Sequence, residues 1–220
     1  LVAWNRAERF LVASAASDRT ITLYDARAKA AMKKVTLPGK TNAICWNPME
    51  PFCFVAANDD HNLYTFDMRV LEQAATVHTD FVSSVLSVDF SPTGREFVAG
   101  SFDQTVRIFP SDGLRSREVY FTKRMTKVFS VLFSQDARYV LSGSEDSNIR
   151  LWKAEASKPV APLAAPAKDK LDYQDRLKKK YGFLPEIRRI SNHRHVPITI
   201  HNAKKKKHVM RAALKAKQRR

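Results

Sequence analysis

No run of apolar residues in this chain approaches the roughly 18–20 that a helix needs to cross a bilayer, so no membrane partner is expected. Cysteine is almost missing: Cys45 and Cys53 are the only two in 220 residues. Both lie in strand-like apolar surroundings, as small buried hydrophobes do, and suit a reducing compartment better than a disulfide framework. The first ten residues include Trp4, Asn5, Arg6, Glu8 and Arg9, which is no signal peptide. The sequence also lacks an initiator Met and starts inside a strand pattern, so a piece of a longer protein is expected. Phosphate-binding loops, a Gly-x-Ser-x-Gly elbow and a His-Glu-x-x-His helix are all missing. Gly100-Ser101-Phe102-Asp103 and Gly143-Ser144-Glu145-Asp146 pair Ser with Asp, but they read as turns between strands. His193, His195, His201 and His208 cluster without Cys or carboxylate partners at metal spacing. No catalytic residue, metal or cofactor is expected.

What the chain has in plenty is positive charge, unevenly placed. The hydrophobic fraction of 44% suits a globular core, and the net charge is +16. Residues 168–220 hold 18 Lys/Arg against 4 Asp/Glu, whereas residues 1–167 hold 20 against 18. The basic field therefore belongs to the C-terminal part, and it points to a polyanionic partner.

The neutral part repeats itself. Asp18, Asp60, Asp103 and Asp146 stand 42, 43 and 43 residues apart, inside the roughly 40–45 of a four-stranded propeller blade. Each is preceded by an aromatic (Trp4, Trp46, Phe90, Phe133) and followed by another (Tyr24, Phe66, Phe109, Trp152). Tyr139–Trp152 shows the unit clearly, with two short alternating strands around the turn formers Asp146, Ser147 and Asn148.

On these markers the chain resembles the WD-repeat family. In that pattern Val85–Phe90, Phe97–Ser101 and Thr105–Phe109 are strands a, b and c of one blade, with Ser91-Pro92-Thr93-Gly94 turning between a and b. Ala31–Thr36, Gln73–Val77 and Arg117–Thr122 are outer strands, and none follows Trp152. The resemblance implies a buried hydrogen-bond network holding His78 and Asp103. The expected fold is all-β: residues 1–152 as the C-terminal four blades of a seven-bladed β-propeller, followed by a basic, partly helical C-terminal extension.

Residues 153–167, rich in Ala and Pro, read as an extended linker. Over 168–220 the pattern turns helical. An apolar stripe of Leu171, Tyr173, Leu177 and Tyr181 ends at Gly182, and Pro185 opens a short helix. Val196–Ile200 reads as extended, and Asn202 as the cap of a last helix over 203–218. Arg188, Arg189, His193, Arg194 and His195 interleave cations with rings that stack on unpaired bases. Lys204, Lys205, Lys206, Lys207 and Arg211 continue the charge along a helix that can follow phosphates. These ten residues are the candidates for RNA contact; a solvated basic tail or a nuclear localisation signal is the other reading of the lysine run.

Leu171-Asp172-Tyr173, Leu177-Lys178, Pro185–Ile190 and His193-Arg194-His195-Val196-Pro197 resemble the tail of the Sof-type nucleolar WD-repeat proteins. Thr122–Met125 with Val128–Val131 matches the same family, while Asn192 stands where its pattern has Arg. The resemblance implies a nucleolar, non-enzymatic scaffold of the small-subunit processome, acting in ribosomal RNA maturation with pre-ribosomal RNA, other processome proteins and the box C/D small nucleolar RNP. A second reading comes from Tyr24-Asp25-Ala26-Arg27 and Phe66-Asp67-Met68-Arg69. Two successive blades end in Asp-x-Arg, resembling the docking motif of WD-repeat substrate receptors on cullin–RING ubiquitin ligase adaptors. Asp25, Arg27, Asp67 and Arg69 are then the adaptor surface, although an Arg after a strand is also an ordinary surface residue.

Overall fold

The computed structural model describes residues 1–193 and 195–218. These include four antiparallel sheets, each a meander in chain order. The first is built from β1 (Val2–Trp4), β2 (Leu11–Ala15), β3 (Thr20–Asp25) and β4 (Ala31–Thr36). The second holds β5 (Thr41–Trp46), β6 (Cys53–Asn58), β7 (Leu63–Asp67) and β8 (Thr76–His78). The third holds β9 (Val85–Phe90), β10 (Glu96–Ser101), β11 (Val106–Pro110) and β12 (Glu118–Tyr120). The fourth has three strands among the described residues: β13 (Val128–Phe133), β14 (Tyr139–Ser144) and β15 (Ile149–Lys153). These are four blades of a partial WD β-propeller, as the repeat predicts.

The repeated aspartates make the turn between the second and third strand of every blade. Asp18, Asp60, Asp103 and Asp146 each accept, through Oδ1, the backbone N–H two residues on, at 3.0–3.4 Å. The intervening residues Arg19, His61, Gln104 and Ser147 all stand at φ between 59° and 66°. A non-glycine residue tolerates that left-handed geometry only when its surroundings enforce it. The carboxylate brace supplies the enforcement. At the other end of the sheets Gly94 stands at φ 69°, and a Cβ there would lie 2.6 Å from Asn47 Oδ1, so this turn requires glycine.

Apolar cores form between successive blades rather than inside any one. Phe97 and Ala99, with Phe109 of the same blade, face Val55 and Leu63 of the second, while Val98 between them faces Val128, Val131 and Val140 of the fourth. Alternation along one strand thus serves two neighbours. Polar stitches reinforce the packing: Trp46 Nε1 donates to Ala3 O (3.1 Å), and Asp89 Oδ2 accepts from Phe133 N–H (2.7 Å).

Several local expectations shift. The outer strands are shorter than read, at Thr76–His78 and Glu118–Tyr120, and the third strand of that blade runs Val106–Pro110. Val196–Ile200 is not extended throughout. Helix α3 spans Ile198–Gln218, and His201 N–H donates to Pro197 O (3.0 Å), so Asn202 lies inside the helix and does not cap it. Burial of Ile200 against the blades overrides the β preference of Ile-Thr-Ile. His78 and Asp103 do not bond each other. His78, fully buried between Phe97 and Phe109, meets Thr65 Oγ1 at 3.0 Å. Asp103 instead accepts from Thr105 and lies 3.7 Å from the buried guanidinium of Arg107.

The basic segment divides. Val196–Arg220 packs with Leu1–Ala154 as one compact unit, and Glu155–His195 forms another. The second contains α1 (Ala165–Tyr181) and α2 (Pro185–Ser191). Lys153 ends β15 and Ala165 opens α1, so 154–164 is the connection between them. Gly182 follows α1 in the right-handed region at φ −62°, so it does not end the helix by a left-handed turn.

Gly100 and Gly143 are repeat-equivalent but differently crowded. A Cβ on Gly100 would lie 2.7 Å from Val128 and 2.8 Å from Val131, whereas nothing lies within 4 Å of one on Gly143. Gly100→Ala should destabilise this chain by about 1–3 kcal/mol through overpacking. Gly143→Ala should be neutral or gain up to about 1 kcal/mol. Urea denaturation of both variants checks this; equal losses would contradict the account of blade packing.

Candidate nucleic-acid and protein interfaces

The two Asp-x-Arg motifs fold into the same device. Arg27 donates its backbone N–H (2.9 Å) and Nε (3.1 Å) to Asp25 Oδ1, and Nη2 to Oδ2 at 2.9 Å. Arg69 repeats this on Asp67 at 2.9, 3.0 and 2.7 Å. Each guanidinium also lies over an aromatic ring, Arg27 over Phe10 at 4.6 Å and Arg69 over Phe52 at 5.1 Å. A bidentate ion pair and a flat ring together fix a side chain that would otherwise sample many rotamers. The arginines are nevertheless about two-thirds exposed, so each presents an ordered cation to solvent. Hydrogen bonds from the arginines hold the Asp25 and Asp67 carboxyls below their usual range.

Phe10 and Phe52 were missed by motif reading, yet the sequence carries their signal. Each precedes its aspartate by 15 residues, where the other two blades have Arg95 and Arg138. Strand register explains the spacing: Leu11 pairs with Asp25 and Cys53 with Asp67, placing the preceding Phe beside the Arg. Lys33 Nζ adds bonds to Met68 O (3.3 Å) and Arg69 O (2.9 Å), tying the first blade to the second. A cleft of about 420 Å³ lies there, lined by Lys33, Lys34, Arg69, Val70, Leu71 and Glu72.

The ten candidate RNA-contact residues fall into distinct groups. Arg188 and Arg189 are exposed in the last turn of α2, whose end is closed by Asn192 N–H bonding Arg188 O. His193 and His195 are exposed in the segment that follows; Arg194 lies outside the described residues. In this unit α1 buries no side chain, and Tyr173 and Phe183 are largely exposed.

The other five lie on α3 and face two ways. Lys204 Nζ pairs with Asp80 Oδ1 at 2.9 Å, Lys207 Nζ donates to Val82 O at 2.6 Å, and Arg211 Nη2 meets His61 Nε2 at 3.4 Å. Their spacing of three and four puts them on one side of the helix, in line with Ile200 and Ala203. Lys205 and Lys206 are on another side, lining a shallow concavity of about 500 Å³ with Asn202, Val209 and Met210. The lysine run is thus partly a docking element and partly open to solvent. Burial drives the Lys207 ammonium below its usual pKa, with Arg211 adding repulsion, and burial likewise lowers His61. At Asp80 burial pushes the carboxyl up, but bonds from Ser116 and Lys204 outweigh it and hold it low.

Neither thiol is suited to chemistry. Burial pushes Cys45 up to about 12 and Cys53 to about 11, so both stay protonated at neutral pH. No group of three or more His, Cys, Asp or Glu among the described residues could hold a metal ion. No described helix is long and apolar enough to cross a membrane.

A Sof1-like domain model matches residues 154–220, and the model of the WD domain, G-beta repeat, matches 72–109 and 120–153. DDB1- and CUL4-associated factor 13 of Homo sapiens is 51% identical over 217 residues, covering 99% of this chain and 49% of that protein. The Danio rerio protein of the same name is 48% identical over 217 residues, with the same coverage of each. Protein SOF1 of Saccharomyces cerevisiae is 46% identical over 215 residues, covering 98% of this chain and 44% of its own length. The chain spans about half the length of these relatives.

Proposed function

This chain joins WD repeats to a Sof1-like domain and is homologous to Protein SOF1 over nearly its whole length, and from that premise we propose that it serves as a non-enzymatic scaffold of ribosome biogenesis. In this reading the protein works in the nucleolus, within the small-subunit processome. Its basic C-terminal part binds pre-ribosomal RNA or assembly neighbours beside the box C/D small nucleolar RNP. The observation that carries the reading is the charge division, 18 Lys/Arg against 4 Asp/Glu over 168–220 beside nearly neutral blades. Modules of both kinds are typically binding scaffolds rather than enzymes. Arg188, Arg189, Lys205 and Lys206 offer exposed cations to phosphate, and His193 and His195 offer rings to unpaired bases. Arg194 joins them on sequence alone.

Binding to single-stranded pre-ribosomal RNA should weaken steeply with salt, by about 0.7 in the log–log slope for each phosphate contact. Replacing Arg188 and Arg189 by Ala should therefore flatten the slope by about 1.4, equally for all RNA sequences. Replacing His193 and His195 by Ala should cost about 1–3 kcal/mol per unstacked base with little change in slope. Fluorescence anisotropy across a salt series measures both. An unchanged affinity and slope in all four substitutions would remove these residues from the RNA interface.

A second role is favoured by the paired Arg27 and Arg69. Two ordered, solvent-facing guanidinium groups on successive blades suit bidentate recognition of a partner's carboxylates or carbonyls. The names of the vertebrate relatives associate those proteins with DDB1 and CUL4. On this basis Asp25, Arg27, Asp67 and Arg69 form the adaptor surface of a cullin–RING ligase substrate receptor. Arg27→Ala with Arg69→Ala should cut recovery of the DDB1 adaptor in pull-downs at least tenfold while leaving RNA affinity unchanged. Undiminished adaptor recovery would end this reading.

A further inference from the structure

α3 meets the blades through one ion pair, two further bonds from cations and one buried apolar side chain. Ile200 is its one buried side chain among the described residues, Ala203 is half-buried beside it, and the polar contacts are made by Lys204, Lys207 and Arg211. The acceptors come from two blades. His61 belongs to the β6–β7 turn; Asp80 and Val82 belong to the β8–β9 connection.

This rim is organised to receive a cation. Ser116 donates its N–H (2.9 Å) and Oγ–H (3.0 Å) to Asp80 Oδ2, which leaves Oδ1 for Lys204. Val82 N–H is held by Asp103 Oδ2 at 3.3 Å, and its carbonyl faces Lys207. A shallow depression of about 310 Å³ borders the contact, lined by Val82, Phe102 and Gln104 of the blade and Thr199, Ile200 and Ala203 of the helix. An electrostatic contact with little apolar burial is salt-sensitive and open to competition from a denser array of anions.

Asp80, Val82 O and His61 take up donors and charge of Lys204, Lys207 and Arg211 that a phosphate would also use, so rim and phosphate compete for the same three cations. We propose that docking of α3 on this rim and binding of single-stranded nucleic acid to Lys204, Lys207 and Arg211 exclude each other, so that α3 is a latch that the polyanion opens. Opening bares a row of carboxylate, carbonyl and imidazole acceptors shaped for a basic helix. Linkage makes the coupling reciprocal: whatever loosens the docked helix tightens polyanion binding. The competition rests on the RNA-binding reading of the basic segment.

Hydrogen exchange of the whole 220-residue chain, with and without a poly(U) 15-mer, tests the latch. Saturating poly(U) should lower protection over residues 80–84 and 102–104. Ile200→Ser removes the apolar anchor without altering charge. It should lower that protection before any RNA is added, and tighten poly(U) binding threefold or more. Asp80→Asn should act in the same direction, and Ile200→Ser serves as the independent variant because Asp80 also holds Ser116. Poly(U) bound at saturation with rim protection unchanged would overturn the latch while leaving RNA binding intact. So would an Ile200→Ser chain that loses rim protection but binds no tighter. Absence of poly(U) binding in every form would overturn the latch together with the RNA-binding reading.

Discussion

A carboxylate accepting the amide two residues ahead, around a residue forced to positive φ, recurs in all four blades. This turn fixes the register of the second strand on the third, and a slip of one residue would send every side chain to the opposite face. Register in turn decides which side chain meets which neighbour: Phe97 and Ala99 toward one blade, Val98 toward the next. It also delivers Phe10 and Phe52 beside Arg27 and Arg69. Packing between blades and presentation of the surface arginines are therefore two outcomes of one local constraint.

Electrostatics divides labour along the chain. The blades are close to neutral as a whole, yet Asp80, Asp103 and the His61 imidazole gather on one rim, and there α3 brings its cations. The same lysines that suit phosphate also suit a buried-edge carboxylate, because both are oxygen acceptors reached by a long flexible stem. A basic run in sequence consequently says that an anion is wanted, without saying whether the anion is another molecule or the protein itself.

Legibility from sequence followed the same line between local and distant causes. Three markers repeated in register over four copies made the blades readable, and strand ends such as Val85–Phe90 and Ala31–Thr36 fell where the alternation put them. The helical start at Ile198 was not readable, since Ile-Thr-Ile favours a strand until Ile200 finds its place against the blades. The division of Lys204–Lys207 between docking and solvent was equally hidden, because the run has one composition and only the helix phase separates its sides. Phe10 and Phe52 were legible in principle, by comparing the repeats column by column. The His78 expectation failed for a specific reason: Arg107 occupies the buried site beside Asp103, and His78 turns to Thr65 between two rings.

The central claim is that the basic C-terminal part of a WD-repeat scaffold grips ribosomal precursor RNA. Ultraviolet crosslinking in cells expressing the full-length protein, with sequencing of the bound RNA and mass spectrometry of the crosslinked peptides, tests it most directly. The account predicts reads concentrated on small-subunit precursor RNA and box C/D small nucleolar RNA, with crosslinked peptides from 188–195 and around Lys205 and Lys206. Crosslinks no higher than background, or confined to the blades, would contradict it.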